Sequence, residues 1–329
     1  MMHGGNVWQG PSPDAWLDFS ANLRPDGAPD WVVQAMARGI GEARYYPDVS
    51  MRAAKEGLAA YAGVRADCVL PLSGGIAAID AVCRAGAGRV LITQVTFGEY
   101  ARRARACGRE VLYGRRETMK GGDTLFLCNP NNPTGLARER EEVLQLYAET
   151  QAAGATLIVD EAFIDYCPQY SVRREAARES GLIVLGSLTK ALCIPGARLG
   201  YLIAQAETVA RLEAASAPWG LNAFAAAIAR ELPGHLSEIR AEAERNAQRR
   251  ARFAAALYAL GATVYPSQAN FLLADFGRPM GGAVAALREA GILVRDCASF
   301  GLSDAHLRLA VKTDAENARL LEALKEILR

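Results

Sequence analysis

Leu182-Ile183-Val184-Leu185-Gly186-Ser187-Leu188-Thr189-Lys190 is the stretch on which the reading of this chain turns. Its opening is an apolar, β-branched run of strand length. It closes on two small hydroxyl residues and a single lysine. Arg198 follows shortly, inside Pro195-Gly196-Ala197-Arg198-Leu199-Gly200-Tyr201. Such a strand end offers an amine for covalent chemistry, and hydroxyls and a guanidinium that grip a phosphate. Taken alone, Lys190 reads as a surface lysine at a strand end.

Working outward, similar runs at 89–93, 110–113, 124–128, 156–160 and 199–203 read as strands, with helical patterns between several of them, such as 138–153. This alternation, from about residue 50 to 205, predicts a mostly parallel sheet with helices on both faces. After Pro218 the pattern changes. A long helical region runs to about residue 258. Strand runs at 263–265, 271–274, 292–295 and 307–311 follow, with helices at 282–290 and 314–328. That reads as a smaller α+β domain. The first forty-odd residues hold too little to fold alone and are expected to pack against it. The expected division is 48–215 for the large domain, with 1–47 and 216–329 forming the small one.

The chain has 329 residues, 51% hydrophobic and 22% charged, with a formal net charge of +1. That is a globular composition with no field to attract nucleic acid or an anionic membrane. Arg102, Arg103 and Arg105 make the densest basic patch, read as the solvated face of a helix. The seven cysteines form no C-x-x-C pair, and only three histidines accompany them, so buried reduced thiols are expected and no metal site. The N-terminal residues lack a signal-peptide pattern, and the Ala-rich run 223–229 is too short to span a bilayer. A soluble, cytoplasmic protein is the expectation.

Three further motifs carry chemistry. Ile158-Val159-Asp160-Glu161-Ala162-Phe163 ends an apolar strand in an acid, where α/β sheets bind ligands. Asp160 also suits a helix cap. Asn129-Pro130-Asn131-Asn132-Pro133-Thr134-Gly135 is a rigid turn that presents amides after the strand at 124–128. Pro71-Leu72-Ser73-Gly74-Gly75-Ile76 opens a helix whose first N–H groups suit a phosphate.

In this order and spacing the motifs resemble the fold-type I aminotransferase superfamily over nearly the whole chain. The resemblance implies an α/β, aspartate-aminotransferase-like fold. Its large domain has a mostly parallel seven-stranded sheet between helices, beside a smaller α+β domain. It implies pyridoxal 5'-phosphate as cofactor, held as a Schiff base on Lys190, with Asp160 on the pyridine nitrogen. That carboxylate keeps the ring protonated, and only a protonated ring is a strong electron sink. Asn132 would bond the cofactor's phenolic oxygen, and Phe97 would stack on its ring. Gly75, Ile76, Ser187 and Arg198 would hold its phosphate. Tyr46 resembles the tyrosine that reaches the phosphate in a neighbouring subunit, which implies a homodimer with shared active sites.

Within the superfamily the chain is similar to histidinol-phosphate aminotransferases and to L-threonine-O-3-phosphate decarboxylases of cobalamin biosynthesis. The decarboxylase likeness rests on His3-Gly4-Gly5-Asn6, Asp18-Phe19-Ser20-Ala21-Asn22, Asp160-Glu161-Ala162-Phe163-Ile164-Asp165, Pro218-Trp219-Gly220-Leu221-Asn222-Ala223 and Arg295-Asp296-Cys297-Ala298-Ser299-Phe300. Aminotransferases usually carry a tyrosine where this chain has Phe163. The likeness implies a small phosphorylated amino acid as substrate. His3, Gly4, Asn22 and Arg295 would take its phosphate, Arg308 its carboxylate, and Asn132 would also face it. The implied reaction is loss of CO2 from L-threonine O-3-phosphate to give (R)-1-aminopropan-2-yl phosphate. The alternatives are a histidinol-phosphate-type aminotransferase and a non-catalytic cofactor-binding homologue. The turn Leu72–Ile76 departs from the usual Gly-Asn-Gly pattern, so a side-chain donor to the cofactor phosphate is missing there.

Overall fold

The computed structural model describes residues 4–329; the predicted substrate residue His3 lies outside them. In chain order the strands are β1 (Leu17–Asp18), β2 (Val69–Leu72), β3 (Val90–Ile92), β4 (Val111–Tyr113), β5 (Thr124–Cys128), β6 (Thr156–Asp160), β7 (Leu182–Ser187), β8 (Gly200–Ile203), β9 (Thr263–Val264), β10 (Phe271–Asp275), β11 (Ile292–Leu293), β12 (Arg295–Asp296) and β13 (His306–Ala310).

Seven of them form one sheet in the order β2-β8-β7-β6-β5-β3-β4. From β7 to β4 every pairing is parallel, and β8 runs antiparallel to both neighbours. The central strands read as unbroken apolar runs because both faces are covered. Alternate residues go to opposite faces. Leu125, Leu127, Leu157, Val159 and Val184 enter one core, and Phe126, Cys128, Ile158, Ile183 and Leu185 enter the other. The runs expected at 124–128 and 156–160 fall on β5 and β6. β2 lies outside the six sequence-read strands. It is a four-residue edge strand containing Pro71, and only an edge tolerates the missing N–H.

The smaller sheet is wholly antiparallel, in the order β12-β13-β10-β9. Its core gathers Phe19, Phe253, Leu257, Leu272, Leu307 and Leu320. Two expectations are corrected here. The run at 292–295 is two strands: β11 pairs with β1, and β12 pairs with β13. The helical region after Pro218 is two helices, Ala223–Glu231 and Leu236–Ala259, separated by a 3-10 turn at Leu232–His235. Pro233 cannot donate the helical hydrogen bond there.

The first forty residues divide between the two parts instead of packing on the small one alone. β1 docks on β11. Helix Asp30–Glu42 lies on helix Ala223–Glu231, and its Trp31, Val32 and Ala35 enter the core of the large sheet. Gly39 lets the two backbones approach: a Cβ there would stand 3.1 Å from the Ala223 carbonyl oxygen. All seven cysteines are free. Among the described residues no helix is long and apolar enough to cross a membrane, and no group of ligating side chains could hold a metal ion.

Candidate active site

A cleft of about 420 Å³ opens at the C-terminal ends of β5, β6 and β7, between the large sheet and the small one. This is where parallel strands aim their free ends and where the following turns can meet a ligand. Asp160, Lys190, Asn132, Ser187, Arg198, Phe97, Gly75 and Ile76 all line it, together with Gly4, Asn22, Arg295 and Arg308. Residues from distant parts of the chain thus converge on one cavity.

Asp160 closes β6 and is 7% exposed. One carboxylate oxygen accepts from the Ala162 N–H at 3.0 Å. The other accepts from the Tyr100 hydroxyl at 2.6 Å. Burial pushes the carboxyl above the ordinary aspartate value; the Tyr100 and Ala162 donors and the Lys190 charge pull it back. Tyr100 is wholly buried, stacked on Phe126 at 4.8 Å and edge-on to Phe97 at 5.5 Å. Its role went unread in the sequence, because nothing local ties it to an acid sixty residues on.

Lys190 stands in the turn after β7, partly buried. Its backbone carbonyl accepts from the Arg24 N–H at 3.0 Å. Burial, then the charges of Arg308 and Arg198, bring its ammonium from 10.5 down to about 8, against the opposing pull of Asp160. A larger share of this amine is therefore unprotonated at neutral pH than of a solvent lysine.

The phosphate-type donors cluster at one end. Helix Gly75–Ala85 begins there, so its first N–H groups face the cleft. Ser187 and Thr189 share a hydroxyl hydrogen bond of 2.8 Å, which adds Thr189 to the set. Gly74 is in the left-handed region at φ 80°, and a Cβ on it would lie 2.5 Å from an Arg198 Nη. The turn is thus glycine-rich because the guanidinium occupies the space of a side chain. Thr189 and Ser187 bring side-chain hydroxyls to the cleft, whereas Ser73 of the turn does not line it.

Of the three asparagines in the 129–135 turn, two are structural. Asn129 accepts from the Arg138 N–H at 2.7 Å, and Asn131 accepts from the Thr96 hydroxyl at 2.7 Å. Asn132 faces the cleft, and its amide oxygen accepts from Arg308 at 2.7 Å. Arg308 also donates to the Ser20 carbonyl at 2.6 Å, while its Nε, like the Asn22 side-chain oxygen, is buried without a partner among the described residues. Burial first, with the Arg295 charge, lowers Arg308 to about 10. Gly4 packs on the same segment: a Cβ there would meet the Ser20 carbonyl.

One sequence reading changes. Arg102 lines the mouth of the cleft, held by Glu99 at 2.9 Å, and is not simply part of a solvated face. Tyr46 is not brought to the cleft. It is 83% exposed, lies 5.0 Å from the Trp219 ring and lines a separate depression of about 190 Å³. Phe163 is buried, edge-on to Phe271 at 5.0 Å, and brings no hydroxyl to the cleft.

An amine, a buried acid and an anion cradle in one cleft fit the aldehyde, ring nitrogen and phosphate of pyridoxal phosphate. The unpartnered Arg308 Nε and Asn22 oxygen leave donor and acceptor capacity for a substrate beside it.

The description "Aminotransferase class I and II" belongs to the family model that matches residues 14–324. The chain is 34% identical to the threonine-phosphate decarboxylase of Salmonella typhimurium, over 99% of this chain and 96% of that protein. It is 32% identical to the histidinol-phosphate aminotransferase of Aeromonas hydrophila, over 87% of this chain and 86% of the other. The crystal structure of L-threonine-O-3-phosphate decarboxylase from Porphyromonas gingivalis superposes with a TM-score of 0.85 at 27% identity, covering 94% of this chain and 98% of that one. The chain belongs to the class I and II aminotransferase family, has the aspartate-aminotransferase-like fold, and takes pyridoxal 5'-phosphate as its cofactor.

Proposed function

We propose that this enzyme decarboxylates L-threonine O-3-phosphate, giving (R)-1-aminopropan-2-yl phosphate and CO2. The observation that carries the reading is a pair of buried arginines. Arg295 and Arg308 are 7% and 6% exposed, and neither has an ion-pair partner among the described residues. Buried charges are ordinarily paired. Two unpaired guanidiniums in one cleft call for a small ligand with two anionic groups, here a carboxylate and a phosphate.

Each residue then has a task. Arg308 takes the carboxylate, and Arg295, Asn22, Gly4 and His3 take the substrate phosphate. Gly75, Ile76, Ser187 and Arg198 would hold the cofactor phosphate, Asn132 would bond its phenolic oxygen, and Phe97 would pack against its ring. When bound, pyridoxal phosphate supplies an electrophilic aldehyde and a protonated ring that accepts electrons released at the substrate α-carbon. Asp160 keeps that ring nitrogen protonated. Lys190 provides the amine that carries the cofactor and a proton for the product carbon. The chain selects the bond to be broken by fixing the two anionic ends, which sets the orientation about the α-carbon.

Phe163 also favours this reading, since it offers no hydroxyl where aminotransferases usually have one. Transamination of a histidinol-phosphate type is the second reading, favoured by the comparable identity to such enzymes. We read the assembly as a homodimer. Tyr45, Tyr46, Trp219 and Phe224 are exposed large apolar residues of one region, and Tyr46 faces away from its own cleft. Incubation with L-threonine O-3-phosphate and cofactor tests the function. Release of CO2 and aminopropanol phosphate is expected. No release of CO2 from L-threonine O-3-phosphate, with histidinol phosphate converting the cofactor to its pyridoxamine form and leaving as the corresponding phosphorylated ketone, overturns it in favour of the second reading.

A further inference from the structure

Arg295 and Arg308 sit directly opposite each other on antiparallel strands β12 and β13. Like charges at such positions repel at close range, and here both are shielded from water. They are tethered to different groups: Arg308 to Asn132 and the Ser20 carbonyl, Arg295 to the Ser299 hydroxyl at 2.5 Å. One side chain touches both. The Phe300 ring centroid lies 5.4 Å from the Arg295 guanidinium carbon and 5.8 Å from that of Arg308. Arg308 also lies over Phe271, at 5.5 Å.

We propose that Phe300 is a specificity-determining residue, whose ring holds the two guanidiniums at the separation required by a carboxylate and a phosphate on one small molecule. This rests on the substrate class proposed above and deepens it. An aromatic face attracts each cation that lies within about 6 Å of its centroid, and this ring is within that reach of both. Phe300 belongs to none of the apolar cores, is only half-buried, and lines the cleft. Filling the core is therefore not what it does. Its position is fixed by a tight turn. The Phe300 N–H donates to the Cys297 carbonyl at 3.0 Å, and Gly301 follows in the left-handed region at φ 82°. The turn that carries Phe300 also carries Ser299, so the tether of Arg295 and the spacer move as one unit.

A ligand with a single anionic group engages one arginine and has little need of the spacer. A ligand with two needs both guanidiniums in register. Phe300 is a positioning residue for both, and its effect appears as a difference between the two ligand types.

The test uses holoenzyme in three forms: wild type, Phe300→Leu and Phe300→Tyr. Binding of O-phospho-L-threonine and of L-threonine is read from the change in cofactor absorption. Phe300→Leu is expected to weaken the phosphorylated ligand about tenfold and L-threonine far less, and Phe300→Tyr, which keeps the aromatic face, to restore both. Equal weakening of both ligands by Phe300→Leu, or no weakening of either, overturns the spacer. A wild-type spectrum that ignores O-phospho-L-threonine while responding to another amino acid overturns the substrate reading instead.

Discussion

The Tyr100 hydroxyl donates to a side-chain oxygen of Asp160 at 2.6 Å, with Tyr100 wholly buried and Asp160 nearly so at the wall of the cleft. A buried carboxylate without enough donors drifts toward its neutral form. A neutral Asp160 cannot keep a ring nitrogen protonated. Tyr100 opposes that drift, and the Ala162 N–H is the other donor.

Replacing Tyr100 with Phe removes the donor and keeps the ring packing on Phe126 and Phe97. The Asp160 carboxyl then rises further above its ordinary value. Stability is expected to fall by about 1–3 kcal/mol, the cost of leaving a buried acceptor unsatisfied. Cofactor affinity should fall with it. Denaturant unfolding of the apoenzyme and cofactor titration check the two effects separately. Unchanged cofactor affinity would mean that the Ala162 N–H alone suffices.

Lys190 gives a pH-dependent prediction in the apoenzyme. Its ammonium is lowered from 10.5 to about 8, so burial disfavours the charged form. Below about pH 8 the lysine is charged in both folded and unfolded chains, and the folded state carries the full cost. Between that value and 10.5 the unfolded chain holds the proton and the folded chain does not, so stability rises with pH. Lys190→Met removes the cost altogether. It should therefore be more stable than wild type at neutral pH, with the gap closing as pH approaches 10.5. Urea unfolding of both proteins across that range is the measurement; a gap that widens with pH would contradict the buried charge. In the holoenzyme the same variant should lose activity.

Arg308→Lys keeps the charge and loses the fork. A lysine cannot bridge the Asn132 amide and the Ser20 carbonyl as the guanidinium does, at 2.7 and 2.6 Å. A charge-assisted contact of this kind carries roughly 1.5–3 kcal/mol, so kcat/KM should drop about 10- to 100-fold. Cofactor retention, read from its absorption spectrum in the absence of substrate, should stay near wild type, because Lys190, Asp160, Ser187 and Arg198 are untouched. Steady-state kinetics beside that spectrum separate substrate loss from cofactor loss.

How much of this was legible depended on the range of each signal. β5 and β6 were readable to the residue because both faces are buried and the runs are continuous. β2 was not, because Pro71 breaks the run and only the edge position excuses it. Asn132, Ser187, Lys190 and Arg198 stood out because the motif spacing is local. The Tyr100–Asp160 bond joins residues sixty positions apart, and the pairing of Arg295 with Arg308 depends on strand register, which no local motif gives. Reading 292–295 as one strand hid the second relationship, since the chain changes sheets at Val294.

The last prediction concerns the site as a property of two chains. Tyr46 is 83% exposed and directed at Trp219, so within one chain it has nothing to do with the cofactor cleft. If it completes the cleft of a second copy, Tyr46→Ala should leave the monomer's fold intact and still impair cofactor retention. Mixing Tyr46→Ala with Lys190→Ala then gives a sharper result. In the hybrid dimer one site combines Lys190 from the first chain with Tyr46 from the second, and is wild type throughout. Random exchange makes half the dimers hybrids with one intact site each, so activity should recover to about one quarter of wild type. Two variants impaired within the same chain have no means of rescuing one another. Absence of recovery after demonstrated subunit exchange would place Tyr46 outside the shared site.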